Sequence, residues 1–418
     1  MKYYCFLLMM LSSFTAQAQA PACDTFTSAY LQPFTHHFSI ENGRLNGPGA
    51  GRLKEAIAHS QFTVLGEYHY SRQLSHLTKA LLPWLQRCAY RHFAVEVGPY
   101  SARILQRLSA EPEKTAARLR ELNTYYTSRY DTPIPFFDGV EDAQFLAAAT
   151  NLGFQLWGLD QEFVYSPPML SAELLHLAEG RPDHAEIEAA KVAFDSLFSH
   201  LQQKDDEGIK GYRMFKELTE HPITSLLFSY FGPEDTEAQG IITALRKTWD
   251  IYDRNDYRGG YSHAHRISYI RQNFLANYEK FREKKPKVFV KIGALHAARG
   301  YEFGVYDVGN LVYELARTND SRSCHIYTLS RYYYEDGALS DAVKERPGGP
   351  AAAFRMMGKK DEWALIELKP LKERLDSGSL CLREGPELNK VKFLAENFDF
   401  VLITPADAEQ EPNYEVSK

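Results

Sequence analysis

The chain has 418 residues, of which 44% are hydrophobic and 24% charged, enough apolar surface for a large core and more than one subdomain. Acidic side chains (54) outnumber basic ones (48), and the net charge of −6 excludes the basic footprint of a nucleic-acid binder. No stretch beyond the N-terminus is apolar for long enough to span a bilayer, so no transmembrane segment is expected.

Lys2, the apolar run Cys5 to Leu11 and the small-residue stretch Ala16 to Ala20 read as a secretory signal peptide over residues 1–20, cleaved after Ala18 or Ala20. The expected location is therefore periplasmic or secreted. Cys23, Cys88, Cys324 and Cys381 remain after cleavage, an even number that permits two disulfides in three connectivities or leaves the thiols free. Residues 21–45 read as a leader, with His36 and His37 in a loop. A domain over 46–405 follows. Gly47 to Gly51 is a turn entering a helix at Arg52, and it follows no strand and lacks the Lys-Ser/Thr ending of a phosphate loop.

A strand at 62–66 precedes a helix from Arg72 to Cys88, where Leu74, Leu77, Leu81, Trp84 and Leu85 recur at helical spacing. A strand at 92–96, a helix from Ser101, a helix from Asp142 and a strand at 154–158 continue the alternation. This pattern predicts an α/β fold with a mostly parallel central sheet flanked by helices. Residues 163–260 show helical periods and no strand, and read as a helical insertion capping the sheet edge. Strands at 287–292, 324–329, 363–368 and 398–403 complete the domain, and residues 406–418 read as a disordered acidic tail.

Four of these strands run directly into ionisable residues: Gly66 into Glu67 and His69, Val95 into Glu96, Gly158 into Asp160, and Gly293 into His296. In an open α/β sheet the ligand crevice lies outside the carboxyl ends of the strands, so these side chains are expected to converge. Glu67 and His69, two apart on extended backbone, point to one side. A carboxylate beside an imidazole fixes its tautomer and raises its basicity, as a general base requires. Glu96 after a buried strand calls for a partner: an imidazole, a metal or an arginine. Asp160 also suits a helix N-cap. Arg266 could supply a cation to an anionic intermediate, and Tyr68 and Arg72 flank the Glu67–His69 motif as candidate substrate contacts. No Gly-x-Ser-x-Gly elbow and no His-Glu-x-x-His motif is present.

Taken together, Gly66-Glu67-Tyr68-His69, Phe93-Ala94-Val95-Glu96, Gly158-Leu159-Asp160, Arg266 with Asn273, and Val288 to His296 resemble, in that order, the erythromycin-esterase-like proteins and their ChaN/TIKI relatives. Tyr306 to Leu311 is similar to a late segment of the same group. Ile267 stands where the esterase branch has an acid, and Gly293-Ala294-Leu295-His296 where it has His-Asn-x-His. The resemblance implies hydrolysis of an ester-like bond in a small-molecule substrate. The catalytic residues it implies are His69, Glu67, Glu96 and His296, with His69 as base and His296 holding or polarising the reacting group, and no cofactor required. The other branches imply a divalent metal on His69, Glu96 and His296, or an exported haem- or iron-binding protein.

Overall fold

A computed structural model describes residues 24–258, 262–302, 304–348, 351–382 and 386–415. The signal-peptide segment and Cys23 lie outside these residues. Nine strands form one sheet: β1 (Thr35–Glu41), β2 (Arg44–Asn46), β3 (Phe62–Glu67), β4 (Tyr90–Val95), β5 (Gln155–Gly158), β6 (Lys287–Gly293), β7 (Ser323–Ser330), β8 (Trp363–Glu367) and β9 (Phe400–Thr404). Their order is β2-β1-β8-β9-β7-β3-β6-β4-β5. From β9 to β5 every neighbouring pair is parallel, and β8, β1 and β2 add an antiparallel margin. The expected α/β architecture is thus the one observed.

Helices cover both faces, which explains why the central strands are apolar on both sides. Leu65, Phe93, Val95 and Phe289 face one layer, with Leu74, Leu77, Leu81 and Leu85 of the helix Arg72–Arg87. Val64, Ala94, Val290 and Ile292 face the other, with Ile267, Ile270 and Phe274 of the helix Ser262–Glu279. Each such side chain contributes about 1.5–3 kcal/mol on burial. Ser71 caps the first of these helices by accepting the Leu74 N–H.

Between β5 and β6 the described residues are helical without a strand: Pro167–Leu177, His184–Asp206, Met214–Glu220, Pro222–Ser229 and Thr236–Arg258. The last of these packs on the helix Pro99–Leu108, which lies against the edge strand β5. Among the described residues no helix is long and apolar enough to cross a membrane.

Two expectations are corrected. Residues 35–46 are not a leader but two strands of the sheet, and His36 and His37 pair in register with Leu365 and Ala364 of β8. The alternation there is weak because β1 is only partly buried, which hid it in the sequence. Residues 406–415 are ordered: Arg72 N–H donates to the Ala408 carbonyl, Gln410 N–H to Tyr70 and Val140 N–H to Glu411. A polar segment can be fixed by its backbone alone, which composition does not reveal. Of the alternatives left open for the cysteines, two disulfides are excluded, since Cys88 and Cys324 are free thiols. Cys381 is disulfide-bonded.

Candidate active site

The parallel strands end level with one another. Glu67 pairs in register with Gly293, and Val95 with both Lys291 and Gly158. This alignment delivers Glu67, Glu96, Asp160 and His296 to one rim, as the strand-end reading anticipated. Gly293 sits at the focus. A Cβ built there would lie 3.3 Å from Glu96 Oε2, 3.3 Å from His69 Nε2 and 3.4 Å from His296 Cδ2.

Glu96 is the hub. It is 4% exposed, and one oxygen accepts the Gly293 N–H at 2.5 Å. The other accepts from Arg266 at 2.9 Å. His69 Nε2 stands 4.0 Å from Glu96 Oε2, and His296 Nε2 3.5 Å from Glu96 Oε1. One carboxylate therefore lies between two imidazoles.

The two histidines are held differently. His296 Nδ1 is 2.6 Å from Asp307 Oδ2, an imidazole–carboxylate pair of the kind that fixes ring orientation. Burial opposes the charged ring, but Glu96 and then Asp307 outweigh it and raise the His296 pKa above its ordinary value. The His296 imidazolium is therefore more stable than that of a free side chain. His69 has no such clamp. Its Nδ1 is buried without a hydrogen-bond partner and lies 3.7 Å from Glu67 Oε1. Its ring stacks on Phe136 with centroids 4.0 Å apart. Phe136 and neighbouring Tyr70 both adopt left-handed backbone, φ 63° and 65°, a conformation rare outside glycine and common near functional sites.

Glu67, 6% exposed, bonds to Lys291 Nζ at 2.5 Å. Burial alone would raise its pKa, but the Lys291 ammonium and then His69 hold the carboxyl below its ordinary value. The ion pair sits in the apolar layer beside Phe145, with Lys291 Nζ 5.3 Å from that ring centroid. Nearby, burial pushes the Asp142 carboxyl up to about 7.

The expected substrate contacts are distributed unevenly. Arg266 binds Asp160 through Nε at 3.0 Å and Glu96 through Nη2, so its charge is committed to two carboxylates. Asp160 holds Arg266 and accepts the Gln161 N–H at 2.8 Å. Arg72 turns to Glu141, with Nε 3.1 Å from the carboxylate, and to Glu411. Tyr68 donates to Asp407, which also accepts from Ser71 and from the Gln73 and Ala408 N–H groups. Tyr68 and His69 line a cavity of about 940 Å³, whereas Asp160, Arg266 and Arg72 do not.

Lys291, Asp307 and Phe136 escaped the sequence reading. The signal for Lys291 was present: a lysine inside Val288-Phe289-Val290-Lys291-Ile292 needs a buried counter-charge. Asp307 reads equally well as a helix cap, and it does accept the Val308 N–H. The donor set does not suit a metal. Glu96 already carries a guanidinium and an amide N–H, and no group of three or more His, Cys, Asp or Glu among the described residues stands in metal-binding geometry.

No protein-family model matches the sequence, and no curated protein matches it. Solved structures do resemble the fold. A protein from Bacillus cereus aligns with a TM-score of 0.54 and 12% identity over 92% of this chain and 98% of its own. A succinoglycan biosynthesis protein aligns with a TM-score of 0.54 and 16% identity over 92% of this chain and 97% of its own. A mutant erythromycin esterase in its open conformation aligns at 0.47 and 13% identity over 86% and 94%, a score too low to establish a shared fold. The two alignments at 0.54 show a shared α/β fold.

Proposed function

We propose that the chain is an exported hydrolase of an ester-like bond in a small molecule. The observation that carries the reading is Glu96 standing between His69 and His296 at the level ends of β4, β3 and β6. His69, unclamped and partly exposed, takes a proton from water as the water oxygen adds to the acyl carbon. His296, biased toward the imidazolium by Glu96 and Asp307, places positive charge where the carbonyl oxygen becomes an oxyanion. On collapse of that intermediate the acyl–oxygen bond breaks, and the leaving oxygen takes from His69 the proton that ring removed from water, while His296 stays protonated. Glu96 stands between the two rings and is not itself the nucleophile, because both its oxygens are already engaged. His69 Nδ1 stands 3.7 Å from Glu67 Oε1, close enough for this carboxylate to favour a proton on the ring. Export is supported by Lys2, the apolar run after it and the small residues through Ala20.

The test is a panel of 4-nitrophenyl and alkyl esters and amides with purified wild type, His69→Ala and His296→Ala, with and without chelator. Ester turnover that survives chelation and falls by about 100-fold or more in each variant is expected. Turnover unchanged in His69→Ala would sink the assignment.

A further inference from the structure

The cavity beside His69 contains a cation that the mechanism above does not use. Arg355 closes the short helix Ala352–Arg355 and lines the same cavity as Tyr68 and His69. Its Nε donates to the Ser330 carbonyl at 2.9 Å, at the end of β7. Both terminal nitrogens of its fork lack a carboxylate or carbonyl partner among the described residues. Among the described residues other half-buried arginines are paired with carboxylates, Arg266 with Asp160, Arg331 with Asp341 and Arg213 with Asp253, while Arg271 bonds the Tyr306 carbonyl. A guanidinium has a fork matched to a carboxylate, and desolvation without a counter-charge leaves it poised to take one. Burial, then the like charge of Arg346, depresses the Arg355 pKa, and only tyrosine hydroxyls oppose this.

A second donor stands in the cavity wall. The Tyr327 hydroxyl oxygen accepts from Lys390 Nζ at 2.8 Å, which leaves its own O–H to donate and strengthens it. Of the other wall hydroxyls, Tyr68 is spent on Asp407, Tyr333 on Glu345 and Thr328 on the Gly66 carbonyl, and Tyr70 and Tyr334 are exposed. The negative groups of the cavity define what it admits. Asp407 is buried, but four donors already share its charge. Glu335, Asp336 and Glu409 lie on the exposed rim, where solvent and salt screen them. A ligand with one negative charge gains Arg355 at short range and loses little to the rim, whereas a dianion meets the rim twice.

We propose that this cavity is a substrate subsite in which Arg355, assisted by Tyr327, binds a single carboxylate of the ester's acyl or alcohol part. The substrate class is thus an ester bearing a free carboxylate. The cut bond rests on the hydrolase reading, but the binding does not.

Wild type, Arg355→Gln and Arg355→Lys serve as the test, with folding checked by circular dichroism. The glutamine variant keeps an N–H for Ser330, and the lysine variant keeps the charge if glutamine does not fold. Calorimetry is run with glutarate monomethyl ester, its neutral dimethyl ester and inorganic phosphate. Hydrolysis is compared between 4-nitrophenyl acetate and mono-4-nitrophenyl glutarate. Saturable binding of the monocarboxylate is expected, with the neutral ester and phosphate weaker. The variants should weaken it by at least about tenfold, and lower the kcat/KM ratio of the carboxylated over the neutral ester by a similar factor. Equal binding of the monocarboxylate by wild type and both variants, or none by wild type, overturns the subsite. Binding that depends on Arg355 without turnover of either ester leaves the subsite standing and removes the hydrolase reading. Turnover with no dependence on Arg355 does the reverse.

Discussion

A lysine in the middle of a buried strand has to be matched. Lys291 and Glu67 are each nearly inaccessible, and they satisfy one another at 2.5 Å. Removing one partner leaves the other charge stranded, so Lys291→Met is expected to cost about 3–5 kcal/mol. The double change Lys291→Met with Glu67→Gln strands no charge and should recover much of that loss. The pH dependence follows from the lowered Glu67 pKa. The folded state favours the carboxylate, so the stabilisation is present above the ordinary carboxylate range and is lost as pH falls through the depressed value. The gap between wild type and Lys291→Met, measured by urea unfolding, should be widest near neutral pH and narrow in acid. A gap independent of pH would mean that the pair does not hold Glu67 ionised. Glu67 also stands nearest His69 Nδ1, so loss of Lys291 should lower ester turnover as well as stability.

At the scale of elements, the level carboxyl ends of β3, β4 and β6 create the site, and Gly293 occupies its centre. Its N–H anchors Glu96, and its missing side chain is what lets His69 and His296 approach. Gly293→Ala would place a methyl group 3.3–3.4 Å from all three, tight contacts that small side-chain shifts can relieve. The variant is expected to fold with a change in stability under about 2 kcal/mol and to lose about tenfold or more in kcat. Gly66 offers a contrast. A Cβ there meets Ala294 Cα, Ala297 Cβ and the Ile326 carbonyl, each at 3.0 Å, and backbone cannot step aside. Gly66→Ala should therefore act on stability before activity. Comparable losses of activity in the two variants, at equal stability, would contradict this division.

Across the whole molecule, the segment 406–415 ties distant parts of the site together. Its backbone bonds to Tyr70, Arg72, Asp138 and Val140, and its Asp407 receives Tyr68 and Ser71. It thus fastens the loop that carries His69 to the loop that presents Phe136, the ring on which His69 stacks. Truncation after Pro405 removes these bonds and uncovers Asp142, whose Oδ1 accepts from Gln410 at 2.8 Å. The truncated chain should unfold at a lower temperature, by about 4 °C or more, and its loss of ester turnover should exceed that expected from stability alone. Unchanged turnover would show that His69 holds its place without the clamp.

How much of this was readable in the chain follows from the range of the forces involved. Short continuous apolar runs marked the central strands, and apolar residues at helical spacing marked the helix Arg72–Arg87 and the helical character of 163–260, because these patterns are local consequences of which faces are buried. That Glu67, His69, Glu96 and His296 lie together was legible too, since in a parallel sheet a polar residue directly after an apolar strand lies at the crevice end. Periodicity could not reveal that residues 35–46 close the sheet or that 406–415 are fixed, because backbone pairing with distant segments carries no periodic signature. Nor could it say which carboxylate serves which partner. Asp307 for His296, Lys291 for Glu67, and Arg266 for both Glu96 and Asp160 are settled by distances between segments up to 224 residues apart, which only the folded chain sets.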